Sequence, residues 1–103
     1  MVGISSARGL TDDEARAIDP NVTDTALLPL AAHRDATVRS AVAARTDCPV
    51  GALISLGHDH DIGVLEAVLH NVRTPSSVVR ALADHRNPRV SGLAIQRLRN
   101  SYR

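Results

Sequence analysis

Residues 74–98 read TPSSVVRALADHRNPRVSGLAIQRL, and this stretch decides the fold. Thr74-Pro75 has the form of an N-cap followed by a first helical position, where proline's missing N–H costs nothing. The helix it opens runs through Val78, Val79 and Leu82 and stops near Asp84-His85-Arg86. Asn87-Pro88 repeats the device and launches a second helix, along which Val90, Leu93, Ala94 and Leu98 recur at helical spacing. The stretch is a helical hairpin.

Stepping back by 26 residues, the same plan returns twice. Leu30, Leu56 and Leu82 form one column; Val38, Val64 and Val90 form a second. Asp35, Asp61 and Asn87 form a third, at the cap of each second helix, and Pro49 and Pro75 a fourth. The second unit opens at Pro49, carries Ala52, Leu53 and Leu56, then Asp61 before Val64, Ala67 and Val68. The first gives Ala26, Leu27 and Leu30, then Asp35 before Val38, Ala41 and Val42. Pro29 falls inside its first helix and predicts a short or 3₁₀-like segment there. Upstream, Thr11-Asp12-Asp13-Glu14 is a capping-box pattern that starts a helix ending near Ile18, polar on its outer face.

A fixed period of this size marks units that bury their apolar faces only against their neighbours. The expected fold is all-α: a short α-solenoid of about three 26-residue helical-hairpin repeats plus an N-terminal capping helix. It forms a single domain, with the cap and a degenerate half-repeat at 1–25 and repeats at 26–51, 52–77 and 78–103. Asn100 stands where another helix would begin, so the outer flank of the last helix is expected to expose aliphatic surface.

Composition narrows the function classes. Phe and Trp are absent and Tyr102 is the only aromatic residue, so the core is aliphatic. All 12 basic residues are Arg, which with abundant Ala, Val and Asp suggests a GC-rich genome such as that of an actinobacterium or its phage. The single Cys48 excludes an internal disulfide and a self-contained cysteine metal cluster. The opening MVGISSARGL lacks a signal-peptide apolar run, and no stretch is long enough to span a membrane, so a cytoplasmic protein is expected. Net charge is +1, but the first 26 residues are acidic, whereas residues 72–103 hold seven arginines against Asp84 alone.

The units resemble the variant leucine-rich repeat family of bacteria, an all-helical relative in shape of HEAT and armadillo repeats. The matching text is Leu30-Ala31-Ala32-His33-Arg34-Asp35, then Val38-Arg39-Ser40-Ala41-Val42-Ala43, together with Thr74-Pro75 and Ala17-Ile18-Asp19-Pro20 leading to Leu27-Leu28. The resemblance covers roughly residues 15–100 and implies a right-handed superhelix, a form whose role in the family is usually unknown or is binding. Some members carry an iron–sulfur cluster in a cysteine-rich N-terminal part; this chain lacks those cysteines.

Candidate chemistry is sparse. His58-Asp59-His60-Asp61, with His70, has the residue types of a divalent-metal site. The repeat register instead makes it a polar turn, matching Ala32, His33, Arg34 and Asp35. His33, Asp59 and His85 share a column, and column-mates about 10 Å apart cannot share a metal. There is no nucleophile elbow and no glycine-rich phosphate loop. Cys48 falls at a helix start, in the column of Thr74 and Asn100, where a capping role is expected. No enzyme activity, cofactor or metal is therefore expected.

The second helices offer the better candidates. Columns Ala44/His70/Gln96 and Arg45/Asn71/Arg97 run near their C-terminal ends as a polar strip, although the same residues suit helix-end capping. The candidate binding residues are Arg45, His70, Asn71, Arg86, Arg89, Gln96 and Arg97. The leading expectation is a non-catalytic protein–protein interaction module, its partner another protein or a second copy. The alternative is nucleic-acid binding through Arg73, Arg80, Arg86, Arg89, Arg97 and Arg99.

Overall fold

The computed structural model describes residues 11–101; the readings placed on residues 1–10, Tyr102 and Arg103 lie outside them. Among the described residues every regular element is helical. In chain order they are α1 (Asp12–Ile18), a 3₁₀ turn (Asp24–Leu27) running into α2 (Leu28–Ala31), and α3 (Ala36–Ala43). Then follow α4 (Val50–Leu56), α5 (Ile62–His70), α6 (Ser76–Ala83) and α7 (Pro88–Ser101).

Local sequence explains the starts and stops. Thr11 and Glu14 form the reciprocal capping box on α1 (3.0 and 3.1 Å). Pro29 splits the first helix of the first hairpin into a 3₁₀ turn and a single α turn. Asp24, opening that turn at φ 51°, takes the left-handed conformation that Asp tolerates better than most residues. Asp35 Oδ1 accepts from Thr37 N, Asp61 Oδ1 from Val64 N, and Asn87 Oδ1 from Arg89 N, so one column caps three helices.

Two starts differ from expectation. Pro49 and Pro75 are themselves the N-cap residues of α4 and α6, with no side-chain cap, so the helices begin one residue later. Thr74 is buried and its hydroxyl donates backward to Val68 O (2.7 Å), closing the end of α5. Cys48 is also buried; its Sγ–H has only a long contact to Pro49 O (3.6 Å). The capping role expected for these residues is not what they do.

The core follows the columns. Leu27/Leu53/Val79, Leu30/Leu56/Leu82, Val38/Val64/Val90 and Val42/Val68/Ala94 are all buried in one continuous cluster. The described chain measures 51 × 26 × 22 Å, and packing runs along its length. Helices α1, α3, α5 and α7 pack directly on one another in that order, and α2 rests on α4. Helices α4 and α6 approach each other less closely.

Candidate functional site

Polar side chains tie each hairpin to the one before it, always at the same columns. The last carbonyls of an α-helix lack partners within the helix. Arg45 meets this need for α1, donating through Nη1 to Ala17 O and Asp19 O and through Nη2 to Val22 O (2.7–2.9 Å). Asn71 donates to Ala43 O and Arg45 O at the end of α3 (both 2.7 Å). Arg97 donates to Leu69 O and Asn71 O at the end of α5 (both 2.7 Å) and to Thr74 O (3.1 Å). The acceptors Ala17, Ala43 and Leu69 are column-mates, as are Asp19, Arg45 and Asn71, and as are Val22 and Thr74. One hydrogen-bonding pattern is thus written three times at the chain's own period.

Electrostatics differ along this ladder. The forked bond to Asp47 raises the Arg45 pKa further and holds the Asp47 carboxyl below its ordinary value. Arg97 has no carboxylate partner among the described residues, and its burial pushes its pKa down. Its charge is stabilised by backbone carbonyl dipoles alone, a setting in which a guanidinium stays protonated.

A second set of links joins each intra-hairpin turn to the preceding unit, across 20 residues. His33 Nδ1 accepts from Asp35 N, so the proton sits on Nε2, which donates to Asp13 Oδ2 (2.9 Å). One unit on, Arg39 donates to Asp59 in bidentate fashion (2.7 and 3.0 Å), and Asp59 Oδ1 also accepts from Asp61 N. Burial pushes the Asp59 carboxyl up, but the Arg39 fork and the Asp61 N–H outweigh it and the net shift is down. At the third repetition the columns hold Leu65 and His85. His85 Nδ1 accepts from Asn87 N (3.0 Å), and its Nε2–H finds no acceptor among the described residues.

Two grooves remain between hairpins. One, of about 460 Å³, lies between the end of α5 and α7, with Leu69, Val72 and Leu93 as its apolar part and His70, Gln96 and Arg97 as its polar part. The other, of about 480 Å³, lies between α4 and α6. Ile54, Val78, Ala81 and Leu82 make its floor; His58, His60 and His85 stand at its rim. Gly57 lines it as well, at a place where a Cβ would come within 2.6 Å of Val78 Cγ1.

The seven sequence-chosen residues therefore separate. His70, Gln96 and Arg97 meet in the α5/α7 groove, where the Nδ1–H of His70 donates to Glu66 O (2.8 Å). The donors of Arg45 and Asn71 turn inward to the backbone. Arg89 is an exposed partner of Glu66, and Arg86 is exposed on the turn beside His85. The α4/α6 groove and the Arg39–Asp59 link were not singled out in the sequence. The signal for the link is visible in retrospect, as columns of opposite chemistry held 20 residues apart.

No group of three or more His, Cys, Asp or Glu side chains among the described residues is arranged to hold a metal ion. Asp59, the central residue of the His-Asp turn, already has both oxygens engaged. The Cys48 thiol is pushed up to about 11 by its burial, well away from a reactive thiolate at neutral pH. No described helix is long and apolar enough to cross a membrane. Compared with protein-family models, curated proteins and solved structures, the chain matches none at a significant level.

Proposed function

We propose that the chain is a non-catalytic protein-interaction module: a short right-handed α-solenoid of about three 26-residue hairpins behind an N-terminal capping helix, like the variant leucine-rich repeats its sequence resembles. The observation that carries this reading is the division of labour among its polar groups. The column residues 39, 45, 59, 71 and 97 are spent on holding hairpin to hairpin. What faces outward is a pair of part-apolar grooves with isolated exposed aliphatics, among them Val72 at 84 % and Ile54 at 45 % exposure. Rigid inter-hairpin clefts with apolar floors and polar rims suit a peptide or a protein edge.

The protein reading is preferred over nucleic acid because two of the arginines that would hold phosphate are engaged internally. Arg97 serves backbone carbonyls and Arg89 serves Glu66. The test is capture of partners on immobilised protein from an actinobacterial lysate, split with and without nuclease. Proteins retained equally in both halves, and lost from an Ile54→Asp, Val72→Glu variant, are the expected result. Retention that disappears with nuclease overturns the reading.

A further inference from the structure

We propose that the α4/α6 groove binds an acidic, aliphatic peptide segment of the partner, a recognition that rests on the interaction-module reading. Three observations converge on that chemistry. The floor is apolar and accessible: Ile54 is 45 % exposed on the face that borders Val78, Ala81 and Leu82, room enough for one aliphatic side chain. The rim offers donors. His85 has its tautomer fixed by Asn87 N, which places a proton on Nε2 with no acceptor, while its column-mates His33 and Asp59 are both paired. The third observation concerns charge. Asp59, the carboxylate lining the groove, is neutralised by the two-pronged contact with Arg39 and so does not repel an incoming acid.

Arg34, His60 and Arg86 occupy one column, all exposed, at roughly 10 Å intervals, the spacing of packed helices, in turns that also hold the exposed carboxylates Asp35 and Asp84. An extended chain advances about 3.3 Å per residue, so carboxylates about three residues apart would match that interval. Asp84, the exposed carboxylate in the same turn as His85, stands in the column of His58 and does not line the groove. The occupant is then a segment with Leu, Ile or Val seated on Ile54 and Val78 and a neighbouring Asp or Glu accepting from His85 Nε2–H.

The experiment is selection of random dodecapeptides displayed on phage against the immobilised full-length chain, followed by fluorescence anisotropy of the synthetic winners. Two variants report on the groove without disturbing the core. Ile54→Asp places a charge on an already exposed floor residue. His85→Asp keeps an acceptor for Asn87 N, as Asp59 does one unit earlier for Asp61 N, while it removes the donor and adds a negative charge. The expected winners carry Asp or Glu within a few residues of Leu, Ile or Val. Each variant should weaken them by about tenfold or more, the worth of one charge-assisted hydrogen bond.

Winners that are basic or lack acidic residues overturn the proposal. So do acidic winners indifferent to both variants, a result that leaves the interaction-module reading standing because the peptides then bind elsewhere. A labelled single-stranded or duplex 20-mer DNA that binds wild type and is lost with His85→Asp also overturns it, in favour of phosphate recognition. Failure to select any peptide overturns the proposal and leaves the interaction-module reading to the lysate capture.

Discussion

The junction between the first and second hairpins and the junction between the second and third occupy the same columns with different chemistry. In the first, Arg39 and Asp59 lock in a forked pair, with side chains only 19 % and 10 % exposed, and α2 rests on α4. In the second, Leu65 is fully buried, His85 keeps an idle Nε2–H, and a groove lies between α4 and α6. An ion pair at one repetition closes the surface; an apolar residue and an unmatched imidazole at the next leave it open to a ligand. The ladder beneath behaves in the opposite way, since Arg45, Asn71 and Arg97 share two acceptor columns, 17/43/69 and 19/45/71. The ladder keeps its acceptors from unit to unit, while the link beside the groove changes from an ion pair to an unmatched imidazole.

The largest effect should come from breaking the ladder. Arg97→Ala leaves Leu69 O without its side-chain donor and Asn71 O with only Thr74 N, at a cost of about 3 kcal/mol, read from the urea midpoint. Arg97→Lys should recover only part of this, because a single ammonium cannot span the fork. Asn71→Ala, removing a neutral donor from two carbonyls, should cost about 1.5 kcal/mol. An Asn71→Ala loss larger than that of Arg97→Ala would contradict the assignment of Arg97 as a structural clamp.

Asp59→Ala comes next, at about 2 kcal/mol, between the values for exposed and fully buried ion pairs. Its pH signature has a definite sign. The folded-state pKa of Asp59 is depressed, so its contribution is complete above the ordinary carboxylate value of about 4 and is lost as pH falls through the folded value. Wild type should therefore lose more stability than Asp59→Asn between neutral pH and acid. Parallel acid limbs in the two proteins would remove the basis for that link.

These first two tests touch features of very unequal visibility in the sequence. The all-helical class was legible because Leu30, Leu56 and Leu82, and the capping acids Asp35 and Asp61, signal over three or four residues. The break at Pro29 was legible for the same reason. Thr74 misled: a hydroxyl before proline looks like an N-cap, yet burial turned it back to Val68 O. Polar side chains at positions 45, 71 and 97 had two readings, outward binding or helix-end capping, and local pattern cannot choose between them. Their acceptors lie 23–28 residues upstream, so the choice depends on which hairpin end lands beneath each donor. The α4/α6 groove was illegible because it is formed between helices of two successive hairpins, to which no single residue type corresponds.

Exchanging the chemistry of the two junctions sharpens the comparison at smaller cost. Arg39→Leu with Asp59→His writes the Leu65/His85 pair into the first junction. Removing both partners of the pair strands neither of them, and only the turn carbonyls His33 O and Arg34 O lose their Arg39 donor, so the double variant should lie within about 1.5 kcal/mol of wild type. It should thus be more stable than Asp59→Ala. If instead the double change costs the sum of the two single changes, the pair is not coupled and the contrast between junctions is incidental.

The smallest effect belongs to Gly57, and its sign is informative. The backbone there is ordinary (φ −65°), so alanine would be favoured by about 0.4–1 kcal/mol through loss of freedom in the unfolded chain. Opposing this, a Cβ would stand 2.6 Å from Val78 Cγ1 and 3.3 Å from Ile54 O, inside the groove floor. Crowding of this kind costs about 1 kcal/mol or more when the neighbour cannot move. Val78 is only half-buried and can turn away, so Gly57→Ala should end about 0.5 kcal/mol less stable than wild type, with the groove floor reshaped. Combining it with Val78→Ala removes the crowded methyl and leaves the entropic gain. A double-mutant cycle should then show favourable coupling of about 1 kcal/mol. Additivity would mean that α4 and α6 already stand far enough apart to admit a methyl group, and the glycine would then have no part in shaping the floor on which Ile54 and Val78 meet a ligand.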